Sequence, residues 1–408
     1  MDQLSLYDKI LQLQAPWKTT SVALNELNGQ ITVEVRCDNA CLQCPKCGAP
    51  SKRYDTRKRQ WRHLDTCQFQ TLIKADIPRV SCDIHGCITV SVPWAENSSR
   101  YTQLFENKVL SWASETSILA LTRQLNLSWN AIDGIIKRGV SRGLKRQKMF
   151  SCQHLFVDET CIAKPREFIT VLSNHKGQVL AIEDGRSADS LLRCFARIPV
   201  QCINKMKSIS MDLSQAYTRA VEKRFGARAK SLIAYDHFHI TKMLNEALSH
   251  VRKMELRKVP NIDQLHHYKT RFAWMKNERN RSDKTEAELD IQKEYLKDTA
   301  TVWYFKEQFR MIWQGVKRIG VKTIWKNWIK LAKETGIKPL LSVVDTIERS
   351  LLGILNAMKY NVSNGRAEAI NNNIKALARQ SRGYRNKERY KTAIMFHFGK
   401  LDMRLTTK

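Results

Sequence analysis

No uninterrupted apolar run in this 408-residue sequence approaches the ~20 residues that a membrane-spanning helix requires. The N-terminal segment MDQLSLYDKILQLQ also lacks the basic and then apolar order of a secretory signal peptide. Both absences argue against a membrane-spanning or secreted protein and favour a cytoplasmic one. A chain of this length predicts about two to four domains, each able to bury its own core.

Acidic residues are scarce relative to basic ones. The chain has 69 Lys+Arg against 39 Asp+Glu, which gives a formal net charge of +30 and a pI near 9.8. This excess predicts a polyanionic partner, because a protein that neutralises phosphates releases their counterions. Charge alone does not distinguish DNA from RNA, ribosomes or anionic lipid.

Cysteine is not scarce, and its distribution favours metal binding over disulfides. Most of the 11 cysteines fall in one short region, and no secretory signal precedes them. Cys44 and Cys47 in CPKCG have the spacing at which two thiolates share one tetrahedral ion, and Cys82 and Cys87 in CDIHGC form a second pair. Strand-like segments, ITVEVRC and QFQTLIKADIPRVSC, flank these pairs. The pattern predicts a structural zinc ribbon over residues 37–93, within an N-terminal region of residues 1–98.

The fourth zinc ligand stays open at this point. The gap between Cys82 and Cys87 is wider than usual, so His85 is an alternative to Cys87. Between the pairs, SKRYDTRKRQWRH combines basic and aromatic side chains. In a chain of this charge it predicts nucleic-acid contact, with a solvated basic loop as the alternative. The candidate DNA-contact residues here are Arg53, Arg57, Lys58, Arg59 and Arg62.

Residues 99–149 have the pattern of a helix-turn-helix domain. Apolar periodicity predicts helices near residues 104–112 and 118–125, a short turn at 126–128, and a third helix that Ser128 caps. The third helix ends in the basic segment KRGVSRGLKRQK, as a DNA-reading motif would. A three-helix bundle without DNA contact has a similar pattern and is the alternative; the charge of the chain favours a DNA-reading domain.

The pattern changes to strands and helices in residues 150–250. HLFVDE, REFITVLSN and QVLAIEDG predict three strands joined by hairpins, and KSISMDLS and SLIAYD predict two more that alternate with helices. The order predicts an α/β domain with a mixed five-stranded sheet. Asp158, Asp212 and Asp236 each end an apolar strand, where an ionised carboxylate is costly unless it is paired or binds metal.

Residues 251–360 read as helix throughout and predict a large all-helical insertion. The next segment, residues 361–408, begins with Asn364 and Gly365 as a helix start. Glu368 then lies on a polar helix face with Lys375 and Arg379, opposite an apolar stripe. A solvated amphipathic helix and a catalytic carboxylate beside a phosphate-binding surface both fit this pattern.

Three carboxylates, Asp158, Asp212 and Glu368, converge if the sheet places the aspartates side by side and the helix brings the glutamate over them. Carboxylates without His or Cys suit Mg²⁺ or Mn²⁺. Two such ions ~4 Å apart activate a water or 3′-hydroxyl and stabilise the leaving oxygen of a phosphodiester.

These motifs resemble those of bacterial insertion-sequence transposases of the DDE class, specifically the ISL-three family. CPKCG with CDIHGC resembles that family's N-terminal finger, FVDET and SMDLSQAY its catalytic strands, and SNGRAEAINNNIKALARQSRGYRN its glutamate helix. The resemblance implies an RNase H-like fold, with Asp158, Asp212 and Glu368 as the metal-binding triad. AYDHFHI matches an accessory Asp-x-x-His signature, which makes Asp236 and His239 supporting residues. Ala369 stands where the family often has Gly.

The sequence therefore predicts a transposase that binds the terminal inverted repeats of its element as double-stranded DNA, cuts them and joins them to target DNA. Holding two element ends together implies a homodimer. The last 48 residues carry 11 Lys+Arg against 3 acids, and Lys375, Arg379, Arg382 and Arg385 are the candidate DNA contacts there. A DNA-binding regulator without catalysis and a nuclease without strand transfer are the alternatives.

Overall fold

The computed structural model describes residues 2–38, 41–96, 98–147, 152–163, 167–258, 270–276, 281–315, 320–381 and 383–405. The chain forms two compact units, one of residues 1–147 with 401–408 and one of residues 148–400. Within the described ranges, no helix has both the length and the apolar composition that a membrane span needs. The finer domain limits given above stay a prediction.

A six-stranded sheet forms the first part of the N-terminal unit. Its strands follow the order β1-β2-β5-β4-β3, and β6 pairs with β5. One face packs on a core that includes Val33, Trp61 and Ile73, so buried and exposed residues alternate along β2 and β5. Helix α1 (Gln3–Ile10) precedes β1 (Trp17–Asn25), β2 (Gln30–Cys37), β3 (Cys41–Gln43), β4 (Pro50–Arg62), β5 (Gln70–Cys82) and β6 (Gly86–Thr89).

Two segments of this sheet differ from the simplest interpretation of the sequence. The first 30 residues carry little sequence signal, yet they form α1 and β1. The basic segment, for which a solvated loop was the alternative, is the long strand β4 between β5 and β3. β4 pairs with β5 along most of its length and with β3 at residues 50–52, so the sheet provides hydrogen-bond partners for its backbone whatever the polarity of its side chains.

Three helices complete the N-terminal unit in the predicted order: α2 (Gln103–Ala113), α3 (Ile118–Leu125) and α4 (Trp129–Arg146). The Ser128 side chain accepts a hydrogen bond from the Ala131 N–H, which confirms it as the cap of α4. Asn126 ends α3 in the left-handed conformation, with φ at +51°.

The end of the chain also belongs to this unit. The Asn107 side chain donates to the Leu405 carbonyl at 2.8 Å and accepts from the Leu405 N–H at 2.7 Å, while Arg142 donates to the Met403 carbonyl at 2.9 Å. A Cβ at Gly143 would lie 2.7 Å from the Leu401 Cβ. Glycine at this position therefore lets the last segment lie directly on α4.

The second unit is built on a mixed sheet with the order β11-β10-β7-β8-β9. β10 runs parallel to both β7 and β11, whereas β8 is antiparallel to β7 and β9. The predicted hairpin turn at residues 175–177 joins β8 to β9. The strands are β7 (His154–Ala163), β8 (Glu167–Asn174), β9 (Val179–Asp184), β10 (Ser208–Met211) and β11 (Ile233–Tyr235).

Helices cover this sheet and extend it into an all-helical region. α5 and α7 share a core with the sheet that includes Leu191, Phe195 and Tyr217. A separate core, with Trp274, Trp325 and Trp328, lies within α9 to α14. The helices are α5 (Ala188–Ala196), α6 (Val200–Asn204), α7 (Gln215–Phe225), α8 (Ala229–Leu232), α9 (His237–Leu256), α10 (Arg271–Met275), α11 (Asp283–Tyr295), α12 (Lys297–Gly315), α13 (Val321–Glu334), α14 (Lys338–Tyr360), α15 (Gly365–Gln380) and α16 (Lys387–Phe398).

Candidate active site and metal centre

Cys44, Cys47, Cys82 and His85 form a compact cluster in the N-terminal unit, with one ligand atom of each within 4.8 Å of the others. The first pair sits on the turn after β3, and the second sits where β5 turns into β6. β4 pairs with both β3 and β5, so it brings the two corners together. The sequence predicted both corners, and the sheet explains why they meet.

The geometry of the cluster fits zinc. The Cys47 and Cys82 sulfurs are 3.6 Å apart, and the His85 Nδ1 lies 3.8 Å from the Cys44 sulfur and 3.7 Å from that of Cys82. Ligands about 2.0–2.3 Å from a tetrahedral zinc ion are separated from each other by roughly these distances. Backbone N–H groups of Cys47 and Lys46 lower the pKa of the Cys44 thiol to about 7, which favours the thiolate that binds metal.

Cys87, the predicted fourth ligand, is not part of this cluster. In the β5–β6 pair Cys82 lies opposite Gly86 and Ser81 lies opposite Cys87. Because neighbouring residues of a strand face opposite sides of the sheet, the Cys87 side chain points away from the side that carries Cys82. His85, in the turn, takes the fourth position, so the structure favours the alternative ligand over the predicted one.

The three aspartates of the second unit lie at one level across neighbouring parallel strands. Ser210 of β10 pairs with Phe156 of β7, and Met211 of β10 pairs with Tyr235 of β11. Continuing these registers places Asp212 beside Asp158 and Asp236 beside Asp212. Asp212 and Asp236 follow their strands directly, as predicted, but Asp158 lies in the middle of β7, which continues to Ala163. β7 is longer than predicted because it continues its pairing with β8 past the site.

Asp158 is strongly desolvated. Its Oδ1 accepts the Glu159 N–H at 2.8 Å, and its Oδ2 accepts the side-chain amide N–H of Asn371 at 2.6 Å. Burial raises the pKa of Asp158 to about 6, and the nearby charge of Asp212 adds to the shift. Burial also raises the pKa of Asp212. Two partly buried carboxylates on neighbouring strands, each with a raised pKa, favour a bound cation.

Asp236 and His239 adjoin Asp212. The His239 Nδ1 lies 3.1 Å from Asp212 Oδ1 and 3.8 Å from Asp236 Oδ2, as an ion-pair contact rather than an aligned hydrogen bond. Contact with Asp236 raises the pKa of His239, so its cationic form is favoured. Burial would raise the pKa of Asp236, but contacts with His237, His239 and the Asn364 N–H outweigh it and lower that pKa.

Glu368 lies in the first turn of α15 with an exposed side chain. Among the described residues the second cluster of possible metal ligands consists of Asp212, Asp236 and His239, so both Glu368 and Asp158 lie outside it. Its helix nevertheless faces the aspartates. The Asn364 side chain donates to Asp212 Oδ1 at 3.3 Å, and the Asn371 side chain donates to Asp158 Oδ2 at 2.6 Å. Glu368 is one turn from each of these residues, so it lies on the face that meets the aspartates.

The two asparagines are the part of the site that sequence reasoning missed. Asn364 precedes the helix as predicted, but its side chain makes no capping hydrogen bond and reaches Asp212 instead. Asn371 is 4% exposed, between Ile370 and Ile374 of the apolar stripe. An amide within an apolar stripe, one turn after the candidate glutamate, is the signal that could have identified it.

The predicted DNA-contact residues divide into exposed and buried ones. Arg53, Arg57 and Lys58 are exposed on β4, and Arg59 is partly covered, lying over Trp61 and donating to the Ser99 carbonyl. Arg62 is different, because it is 8% exposed, donates to the His63 carbonyl and pairs with Asp65. Its guanidinium is used inside the protein, so the structure does not support Arg62 as a DNA contact.

The basic residues near Glu368 also have defined positions. Lys375 and Arg379 are exposed on α15, two and three turns after Glu368 and on the same side of the helix. Arg385 is exposed just before α16. Arg382 lies outside the described residues.

Comparison with known sequences identifies three domains of the chain. Residues 155–394 match the DDE transposase profile of the ISL3 family, and residues 90–140 match the helix-turn-helix domain of transposase family ISL3. Residues 42–85 match the zinc-finger of transposase IS204/IS1001/IS1096/IS1165. That last segment contains all four members of the cysteine–histidine cluster and stops before Cys87.

Two curated relatives are similar over most of their length. The transposase for insertion sequence element IS1001 of Bordetella parapertussis is 22% identical over 359 residues, which cover 85% of this chain and 86% of that protein. The transposase for insertion sequence element IS1557 of Mycobacterium tuberculosis is 24% identical over 387 residues, covering 88% of this chain and 86% of the relative. With a zinc finger, a helix-turn-helix and a DDE domain all matched, the chain belongs to the ISL3 family of insertion-sequence transposases.

Proposed function

We propose that this transposase binds the terminal inverted repeats of its insertion sequence, cleaves the DNA there, and joins the 3′ ends to target DNA. The observation that carries the proposal is the set of aspartates at one level across parallel strands, with the Glu368 helix hydrogen-bonded to two of them. The catalytic residues are Asp158, Asp212 and Glu368, and Asp236 and His239 support them.

The catalytic unit is an RNase H-like domain interrupted by a helical insertion. Supporting this, three strands run parallel on one side of the sheet and a hairpin pair is antiparallel on the other. The insertion comprises α9 to α14, between β11 and the glutamate helix α15. In this arrangement Asp158 of β7, Asp212 after β10 and Glu368 of helix α15 together line the site.

Mg²⁺ or Mn²⁺ is the cofactor that the three carboxylates of this site would bind. Asp158 and Asp212 offer carboxylate oxygens in a desolvated setting where their raised pKa values disfavour a bare anion, and Glu368 supplies a third carboxylate. When bound, such ions would activate a water or 3′-hydroxyl and stabilise the leaving oxygen of the phosphodiester. His239, whose Nδ1 lies 3.1 Å from Asp212 Oδ1 and 3.8 Å from Asp236 Oδ2, supports the site by holding these carboxylates in place.

The N-terminal unit reads the element ends, and a structural zinc ion holds its ribbon. Arg53, Arg57, Lys58 and Arg59 contact the DNA backbone from β4, and α4 enters the major groove. Lys375, Arg379, Arg382 and Arg385 hold the strand beside the catalytic carboxylates. The protein acts in the cytoplasm at the nucleoid, as a homodimer that holds both ends of one element.

The test is cleavage and joining of terminal-repeat DNA with Mg²⁺, comparing wild type with Asp158→Ala, Asp212→Ala and Glu368→Ala. Each variant should lose activity by roughly a thousandfold or more, about 4 kcal/mol of transition-state stabilisation, and still bind the DNA. Glu388→Ala, an exposed glutamate of the next helix, is the matched control and should stay active.

Each alternative function predicts a different result. Cleavage and joining that persist in all three variants would contradict the site assignment. DNA binding without cleavage in the wild type would favour a catalytically idle regulator. Hydrolysis without joining would favour a nuclease of the same fold.

A further inference from the structure

Two asparagine side chains link the glutamate helix α15 to both catalytic strands. Asn371 Nδ2 donates to Asp158 Oδ2 at 2.6 Å, and Asn364 Nδ2 donates to Asp212 Oδ1 at 3.3 Å. The Asn364 backbone N–H also donates to Asp236 Oδ1 at 3.2 Å. One helix therefore contacts all three aspartates, and Glu368 lies between the two contact points, four residues after one asparagine and three before the other.

The setting of these amides differs from that of their neighbours. Asn364 and Asn371 are 5% and 4% exposed, whereas Asn372 and Asn373, next in the chain, are exposed. The Oδ1 atoms of both buried amides have no hydrogen-bond partner within the described ranges. Burying an amide whose oxygen stays unpaired is unfavourable, so the hydrogen bonds from its nitrogen must be important for the position of the helix.

Chain connectivity cannot position the glutamate, because the helices α9 to α14 separate it from the last strand of the sheet. Ala367 shares an apolar core with Phe156 of β7 and Ala234 of β11, and Ile370 and Ile374 are buried. Apolar contacts are non-directional, so they do not by themselves fix the rotation of α15 or its position along its axis. The directional hydrogen bonds of the two amides, about two turns apart along the helix, do fix them. Each amide also donates to a backbone carbonyl of β7, Asn364 to Val157 at 3.5 Å and Asn371 to Glu159 at 3.3 Å. Amides suit this role since they are neutral donors and leave carboxylate lone pairs free for a cation.

We propose that Asn364 and Asn371 are positioning residues, which fix the glutamate helix on the two aspartates and so place the Glu368 carboxylate in the metal site. This inference rests on the proposed function, because it needs Asp158, Asp212 and Glu368 to bind the same ions. The amides act through the three carboxylates and do not bind the metal or the DNA themselves. Their effect resembles that of hydrogen bonds around other metal sites, whose loss typically lowers metal affinity or activity by about 10- to 100-fold.

The experiment maps metal-proximal backbone with Fe²⁺, which substitutes for Mg²⁺ and, with ascorbate and peroxide, cuts the chain near its ligands. The wild type should be cut at β7 near Asp158, after β10 near Asp212, and in α15 near Glu368. In Asn371→Ala and Asn371→Leu, cutting in α15 should fall about tenfold relative to cutting near Asp212. The leucine variant retains bulk without the donor, so it tests the hydrogen bond and not the packing.

Asn372→Ala and Asn373→Ala are the matched controls, and both should be cut like the wild type. In a parallel DNA-cleavage assay, Asn364→Ala and Asn371→Ala should need about tenfold more Mg²⁺ for half-maximal rate, with unchanged affinity for terminal-repeat DNA. Equal melting temperatures show that a variant has folded; if Asn371→Ala does not fold, Asn371→Leu and Asn364→Ala carry the test.

Wild-type cutting in both Asn371 variants would overturn the positioning role and leave the proposed function intact. If the wild type is not cut near Asp158, Asp212 and Glu368, the proposal that these residues bind the same metal ions is wrong. The positioning role of the asparagines is then wrong as well. If the wild type shows the three-segment pattern but neither cleaves nor joins DNA, the proposed function fails, and the Asn371 variants still decide the positioning role through their cutting pattern.

Discussion

The cysteine–histidine cluster and the aspartate–glutamate site are the two metal sites that we propose, and they are assembled in opposite ways. The first comes from two turns within 42 residues of sequence, and its ligand atoms already lie at zinc-binding distances from one another. The second draws on residues from Asp158 to Glu368, and of these three carboxylates only Asp212 lies in a cluster of possible ligands among the described residues, with Asp236 and His239.

This contrast has an energetic meaning. Thiolates and an imidazole brought together by two turns make metal binding part of folding, since each turn gains its stability from the ion. The carboxylates are positioned by a sheet and a helix that fold around an apolar core of their own. We therefore expect loss of the first site to reduce stability, and loss of the second to remove chemistry while sparing the fold.

The largest effect should follow loss of zinc. Cys82→Ser or His85→Ala should abolish stoichiometric zinc binding and unfold the ribbon, because structural zinc sites contribute apparent binding free energies of ~10–16 kcal/mol. Zinc content by atomic absorption and limited proteolysis of residues 41–89 would measure this. Cys87→Ser is the control and should retain one zinc ion. If Cys87→Ser loses zinc and His85→Ala retains it, the cluster seen in the structure is wrong.

Asp158→Asn should change the stability of the protein by a smaller amount and in the opposite direction, towards greater stability. The raised pKa of Asp158, from 3.8 to about 6, means that its ionised form is penalised in the folded state. The substitution should therefore abolish catalysis yet stabilise the protein at pH 7 without Mg²⁺, by on the order of 1–3 kcal/mol.

The pH dependence of this stabilisation has a defined direction. Below about pH 4 the carboxyl is protonated in both folded and unfolded states, so the difference from wild type should vanish; it should grow up to about pH 6 and then level off. Melting temperatures of both proteins from pH 4 to pH 7.5 would test it, with Asp189→Asn, an exposed aspartate, as control. A melting temperature that falls at pH 7 would contradict the desolvation argument.

The smallest expected effects, on DNA affinity and on stability, distinguish the exposed basic residues of β4 from the buried Arg62. Arg57→Ala and Lys58→Ala should weaken DNA binding and each lower the slope of log affinity against log salt by about one, because each removes one phosphate contact. Arg62→Ala should leave that slope unchanged and lower stability by about 1–3 kcal/mol, since it leaves buried carbonyl groups and Asp65 without their partner. A reduced salt slope in Arg62→Ala would place this residue on the DNA after all.

The sequence alone predicts some features of the two proposed metal sites and leaves others undetermined. The Cys44 and Cys47 pair can be predicted from the sequence because both residues lie on one turn. The strands of the second unit can be predicted because their apolar runs are short and bounded by turns. The choice of His85 over Cys87 depends on the register of β5 with β6, which residue spacing does not specify. The level of the three aspartates likewise follows from strand register, and the contacts of Asn364 and Asn371 follow from tertiary packing.

The contact of residues 401–405 with the helix-turn-helix unit has a consequence for truncated variants. Asn107 and Arg142 form hydrogen bonds with the backbone of Leu405 and Met403, and Gly143 lies directly against Leu401. A variant that stops at Lys400 would therefore leave these groups on α2 and α4 without their partners, even though it contains every helix of that unit. We expect its N-terminal unit to melt at a lower temperature than that of the 408-residue protein.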